Sequence, residues 1–281
     1  MTQILRTPEA LAQWRADQPP GRLALVPTMG NLHEGHLQLL DQARAKADRV
    51  VVSVFVNPTQ FGPNEDFERY PRTADADHAL LQARGCDAMY LPDVPSMYPE
   101  GLEAGLEIRF PGLDDILCGA SRPGHFQGVA RVVSKLLHHV QPDLAVFGRK
   151  DYQQFLVIRR LVEGLGFPVE LLEAPIVRDP DGLAMSSRNR YLNDDERRRA
   201  VALPRALDHL QAEYPCRGQA VVAETQQMIE DAGFRLDYLS LRDARSLARP
   251  EPTSPELVAL AAAWMGSTRL LDNRVFAQHD K

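Results

Sequence analysis

Along the first two-thirds of the chain, short unbroken apolar runs alternate with stretches whose apolar residues recur every three to four positions. The runs Leu23–Val26, Val50–Val56, Ala88–Leu91, Leu144–Phe147 and Glu170–Ile176 have the length and composition of buried strands. The periodic stretches predict helices over Glu34–Ala47, Ala74–Arg84, Gly128–His138 and Gln153–Leu165. Such alternation predicts an α/β fold, a parallel sheet with helices on both faces, whose ligands collect beyond the carboxyl ends of the strands. After Ile176 the pattern changes. Arg178-Asp-Pro-Asp-Gly182 is a turn-rich link, and Asn193 or Asp194 caps a charged helix start running to Ala200. The remainder reads as helices with short strands at Leu236–Leu241, Glu256–Ala263 and Arg269–Asp272, a smaller α+β domain. The expected division is residues 1–176 and 177–281.

Three polar motifs fall just past predicted strand ends: Pro27-Thr-Met-Gly-Asn-Leu-His-Glu-Gly-His36, Asn57-Pro-Thr-Gln60 and Gly148-Arg-Lys-Asp151. The first places His33 and His36 at a helix start, three residues apart and so on one face. A helix N-terminus offers N–H groups and a partial positive charge, which suits phosphate. Capping chemistry is the alternative reading of the pair. Zinc fits less well, because the helical zinc motif spaces its histidines by four with a glutamate after the first. Lys150 offers a mobile charge for phosphate, or ends a solvated turn. Met185-Ser-Ser-Arg188 groups two hydroxyls with a guanidinium, as an anion site on a mobile loop or as a capping segment. Ser121-Arg-Pro-Gly-His-Phe126 reads equally as an anion loop or a turn. Asn57, Gln60, Gln153 and Gln154 are neutral amides suited to hydroxyls and carboxylates.

Composition narrows the class. A net charge of −6 argues against a protein held on nucleic acid by bulk charge. No apolar run reaches the ~18 residues of a membrane span, and Met1-Thr-Gln-Ile-Leu-Arg6 lacks a signal-peptide layout. Three scattered cysteines, Cys86, Cys118 and Cys216, form neither a CxxC pair nor a disulfide framework, which points to the cytoplasm. No Walker A loop, GxGxxG or Ser-His-Asp arrangement is present.

The first motif resembles the HxGH signature of the HIGH nucleotidyltransferase superfamily. A longer set resembles the AMP-forming pantoate–β-alanine ligase family: Val54-Phe-Val-Asn-Pro-Thr-Gln-Phe61, Arg69-Tyr-Pro-Arg-Thr73, Ser121–Phe126, Gln141-Pro-Asp143, Phe147-Gly-Arg-Lys-Asp-Tyr-Gln-Gln154, Asp181-Gly-Leu-Ala-Met-Ser-Ser-Arg-Asn189 and Arg269-Leu-Leu-Asp-Asn273. The resemblance runs from about residue 20 to about residue 275. It implies a Rossmann-like ATP- and pantoate-binding domain, a C-terminal domain acting as a lid, a homodimer, and a requirement for Mg²⁺. The implied reaction makes pantothenate from pantoate, β-alanine and ATP through a pantoyl adenylate, releasing AMP and pyrophosphate. By position, His36 is the implied proton donor, with His33, Lys150 and Arg188 also catalytic. Met29, Gly30, Asn31, Leu32, His33, Glu34, Gly35, His36, Gly148, Arg149, Lys150, Asp151, Val177, Met185, Ser186, Ser187 and Arg188 match ATP-binding positions. Gln60 and Gln154 match substrate-binding ones. No metal ligand is implied by position; Asp75 and Asp77 are candidate ligands for the implied Mg²⁺, on a helix that reads equally as a solvated face. One departure stands out: Cys118 occupies a position where the family usually has glutamate, which removes a candidate partner for Arg122. Two other readings on the same fold are a nucleotidyltransferase acting on a phosphorylated acceptor, against which the neutral amides argue, and a nucleotide-sensing protein that binds ATP without turnover.

Overall fold

The computed structural model describes residues 1–63, 65–104 and 106–278. Packing divides the chain into two compact units, residues 1–149 with 157–175, and residues 150–156 with 176–281.

The first unit is built on six strands: β1 Gln3–Leu5, β2 Leu23–Thr28, β3 Arg49–Val54, β4 Ala88–Tyr90, β5 Leu144–Gly148 and β6 Glu170–Ala174. They pair in the order β1-β4-β3-β2-β5-β6, all parallel. The helices in chain order are α1 Pro8–Ala16, α2 Glu34–Arg44, α3 Ala74–Ala83, α4 Val94–Met97, α5 Cys118–Ser121, α6 His125–Val140 and α7 Tyr152–Leu165, whose first turn groups with the second unit. The expected α/β architecture is therefore the one observed. Strand order runs outward from β2 through β3 to β4 and restarts with β5 on the other flank of β2. This reversal is the switch point at which open α/β sheets hold ligands. The central strands are continuous apolar runs because both faces are covered: Ala24, Leu25, Val26, Val50, Val51, Leu144 and Ala145 are fully buried.

Several boundaries shift for local reasons. The last strand of the sheet stops at Ala174 because Pro175 has no N–H to give a neighbour. Helix α6 starts three residues earlier than expected, at His125, behind the left-handed cap Gly124 (φ 83°). Gly124 is the cap, and Gly128, where the expected helix began, permits a close approach of Thr59. The three-residue edge strand β1 carries too little apolar signal to be read locally.

The second unit packs α8 Asp194–Ala200, α9 Ala202–Arg217 and α10 Ala220–Asp231 with an antiparallel sheet of β7 Arg235–Asp243, β8 Glu256–Met265 and β9 Thr268–Ala277. Its core includes Leu203, Leu207, Leu210, Ile229, Leu257 and Ala259. Asn193 caps α8 in a capping box with Glu196. The charged face of α8 is only partly solvated, since Arg197 pairs with Asp179 and Asp181.

Candidate active site

In the first unit, the chain leaves β2 through Met29–Leu32 and enters α2. Gly30 and Asn31 are both left-handed, with φ of 81° and 50°. His33 is the N-cap of α2, and its Nδ1 accepts the Gly35 N–H at 3.1 Å. A backbone N–H can only donate, so Nδ1 carries no proton and a neutral His33 holds its proton on Nε2. The His33 and His36 rings lie face by face, with centroids 4.1 Å apart and planes tilted by 35°. The helix start thus gathers two imidazoles and its own positive end, as the sequence led one to expect.

The surrounding motif divides its labour. Leu32 is core. Glu34 is exposed and turned to Arg84, 2.6 Å away. Asp77 is 1% exposed, and its oxygens accept the N–H groups of Asn31 (3.0 Å) and Leu32 (2.8 Å). This corrects its reading as a Mg²⁺ ligand or a solvated side chain: the carboxylate is committed to backbone. Asp75 is exposed.

Gln60 ends the short helix Pro58–Gln60 after β3, and its amide orientation follows from a chain of donors. Asn57 Oδ1 accepts from Thr59 N–H (3.3 Å), Thr59 hydroxyl (2.9 Å) and Tyr98 hydroxyl (2.7 Å). The Asn57 amide nitrogen therefore faces Gln60, donating to its Oε1 at 3.0 Å. The Gln60 NH₂ is left pointing at Met29 Sδ, 3.2 Å away, a weak acceptor that a substrate oxygen would outbid. Gly128 of α6 makes this packing possible. A Cβ there would sit 2.1 Å from the Thr59 carbonyl oxygen.

The concern raised by Cys118 is answered by a residue far away in sequence. Cys118 is buried, and Arg122 pairs instead with Glu65, Nε and Nη2 each 2.6 Å from a carboxylate oxygen. Arg122 Nη1 also lies 3.0 Å from His125 Nε2, and His125 Nδ1 lies 2.9 Å from the Gln60 carbonyl, so the pair buttresses the turn carrying Gln60. Burial raises the Glu65 pKa, but the Arg122 hydrogen bonds and charge, then His125 and Gly62, outweigh it and hold it below the ordinary glutamate value. A depressed folded pKa stabilises the fold above the unfolded value, near 4.3, and that stability is lost as pH falls through the folded value. Glu65→Gln is expected to remove on the order of 1–3 kcal/mol at neutral pH and to flatten the acid limb of stability below about pH 4. Urea titrations at pH 7 and pH 3.5 check this. An unchanged acid limb would contradict it.

Gly148 ends β5 beside β2. Arg149, expected among the nucleotide contacts, turns its guanidinium to Glu173 at 2.7 Å. In the second unit, Lys150 Nζ lies 3.8 Å from Asp151, beyond hydrogen-bond range. Its main-chain carbonyl accepts from Asn273 Nδ2 at 3.1 Å. Tyr152 anchors the same turn through Ala244, while Gln153 is buried and Gln154 half-buried. The Met185–Arg188 segment is stitched down, not left as a loose loop. Met185 N–H donates to Val177, Ser186 Oγ accepts the Arg188 N–H, and Asn189 donates to Ala184. Arg178 and the buried Asp272 form a two-pronged pair (2.8 and 2.9 Å) that ties β9 to the turn in which Arg178 bridges Ala184. Asp272 and Asn273 thereby give structural roles to a motif whose purpose the sequence did not reveal. Ser187 and Arg188 lie on the short helix Ser187–Tyr191. Among the described residues, no three His, Cys, Asp or Glu side chains group as a metal cluster.

A parallel sheet with a switch point at β2 and β5, and polar residues at the ends of both strands, defines a doubly wound α/β protein, a class whose ligands sit at the strand ends. Comparison with known proteins makes the class specific. The family model for pantoate-beta-alanine ligase matches residues 3–275. A pantothenate synthetase from Shewanella amazonensis is 51% identical over 96% of both chains. One from Stenotrophomonas maltophilia is 52% identical over 95% of this chain and 96% of that one. A pantothenate synthetase structure from Thermus thermophilus superposes with a TM-score of 0.87 at 44% identity, covering 97% of this chain and 99% of that one. A pantoate-beta-alanine ligase structure from Francisella tularensis, described as complexed with beta-gamma ATP and beta-alanine, gives a TM-score of 0.82 at 31% identity over 99% and 98% of the two chains. The chain belongs to the pantoate-beta-alanine ligase family.

Proposed function

We propose that this ligase joins pantoate to β-alanine in two steps at the residues described above. A pantoate carboxylate oxygen attacks the α-phosphorus of ATP, and the bond to pyrophosphate breaks. The β-alanine amine then attacks the acyl carbon, the acyl–oxygen bond breaks, and AMP departs with that oxygen while the amine loses a proton. Such transfers need alignment and charge stabilisation more than covalent help.

The observation that carries this reading is the His33–His36 pair at the start of α2, at the switch point of the sheet. The Nε2–H that the Gly35 contact imposes on neutral His33 is a donor for phosphate oxygens. His36 is the proton donor to the leaving pyrophosphate. In the first unit, Met29, Gly30, Asn31, Leu32, Gly35 and Gly148 are the proposed nucleotide-contacting residues, and in the second, Lys150, Ser186, Ser187 and Arg188 are the proposed charge-balancing ones. Gln60 offers its NH₂ to pantoate oxygens, and Gln154 adds a second neutral amide, so the carboxylate is held without being neutralised.

Mg²⁺ fits this donor set as a partner of the nucleotide. It binds through one or two carboxylates plus substrate phosphates, and Asp151 is the carboxylate next to Lys150. When bound, it would offset charge on the phosphates. The enzyme is further proposed to act as a cytoplasmic homodimer. No helix of the described residues is long and apolar enough to cross a membrane.

Pantoate labelled with ¹⁸O in its carboxylate tests the chemistry. One labelled oxygen is expected in AMP. Label in inorganic phosphate, or none in AMP, would overturn the adenylate route. The packing gives a second test. Gly128→Ala would drive a methyl into the Thr59 backbone and shift Gln60, costing on the order of 1–3 kcal/mol and raising the KM for pantoate about tenfold or more. Wild-type KM and melting temperature would contradict that geometry.

A further inference from the structure

The loop that leads into α2 is held by a residue from a different helix. Asp77 lies 45 residues away from Leu32. Its Oδ1 accepts the Leu32 N–H at 2.8 Å and its Oδ2 the Asn31 N–H at 3.0 Å. The Thr73 hydroxyl donates to Oδ2 at 3.1 Å. The carboxylate is almost wholly buried. Two successive N–H groups, those of Asn31 and Leu32, thus point at one anion. Here the anion is the protein's own Asp77. Asn31 adopts a left-handed conformation (φ 50°) that few residues besides glycine and asparagine enter readily, and the Asp77 contacts give this turn an external hold. Without it, the N-cap contact of His33 and the stacking of His33 on His36 lose the lead-in that sets them.

We propose that Asp77 is a positioning residue for the adenylation step, fixing Met29–Leu32 so that His33 and His36 meet the phosphates in register. This rests on the proposed ATP-handling role of the two histidines. A carboxylate is the side chain of this size that accepts at both ends. In Asp77→Asn one end becomes an NH₂ donor facing a backbone N–H, with shape and burial kept. Thr73→Val deletes only the hydroxyl that orients the carboxylate.

The test is steady-state and single-turnover kinetics of the full chain, with melting curves for each variant. For Asp77→Asn the KM for ATP is expected to rise about tenfold and the rate of pyrophosphate release to fall about tenfold, the effect of one charge-assisted hydrogen bond. The KM for β-alanine should stay within about twofold. Thr73→Val should show the same pattern at about two- to threefold. A purely structural role would lower the melting temperature and leave KM values of the folded enzyme untouched. That result in Asp77→Asn overturns the proposal, and unchanged ATP kinetics in Thr73→Val do so if Asp77→Asn fails to fold. His36→Ala, run alongside, separates the two readings. Near-normal turnover there removes the histidine assignment. Lost turnover there, with normal ATP kinetics in Asp77→Asn, removes the Asp77 proposal alone.

Discussion

His36→Ala is expected to lower the rate of pantoyl adenylate formation by about 10²–10⁴-fold, the range for a positioned acid–base group. Departing pyrophosphate gains negative charge as its bond to the α-phosphorus breaks, so a donor aimed at it is worth most in the transition state. Loss should therefore fall on kcat more than on the KM for ATP. The fold should survive, because His36 is half-buried in the first turn of α2 and alanine favours helix. His33 keeps its cap through Gly35 in this variant. Single-turnover pyrophosphate release, read beside a melting curve, checks both halves. Near-normal release from a folded variant would remove His36 from the proton-donor role.

Lys150→Ala is expected to slow the same step by about 10²–10³-fold. Two unit charges about 4 Å apart interact by about 4 kcal/mol at an effective dielectric of 20, and part of that attraction is already present in bound ATP. The expected loss, about 2.7–4 kcal/mol, is of that order. The change should be clean, because Asn273 holds the main-chain carbonyl of Lys150 and Tyr152 anchors the following turn, neither through the lysine side chain. Arginine is not expected to rescue fully, since a planar fork does not reproduce a compact ammonium. Pyrophosphate release within about threefold of wild type would contradict the charge-balancing role.

What the sequence revealed and what it hid follow from distance along the chain. The histidine loop was legible because strand, turn and helix start are contiguous, so apolar spacing on both sides places it. The parallel sheet was legible for the same reason, strand by strand. The network behind Gln60 was not. Tyr98 reaches Asn57 across 41 residues and Glu65 reaches Arg122 across 57. No local pattern announces such partners. Asp77 shows the limit most clearly. Two acidic residues at the start of a helix look alike in sequence, yet Asp75 is exposed while Asp77 is buried against the loop. Arg149 and Lys150 are equally basic neighbours, but Glu173 takes the arginine. The family resemblance supplied candidate positions for the chemistry, and the side-chain geometry supplied how they are held.

The most direct test of this account is to incubate the enzyme with ATP, Mg²⁺ and pantoate, with and without β-alanine, and follow AMP and pyrophosphate together. Sustained AMP release should require both pantoate and β-alanine, and without β-alanine pyrophosphate should stop after about one turnover per active site. ATP binding with no AMP under any combination, or AMP release indifferent to β-alanine, would contradict it.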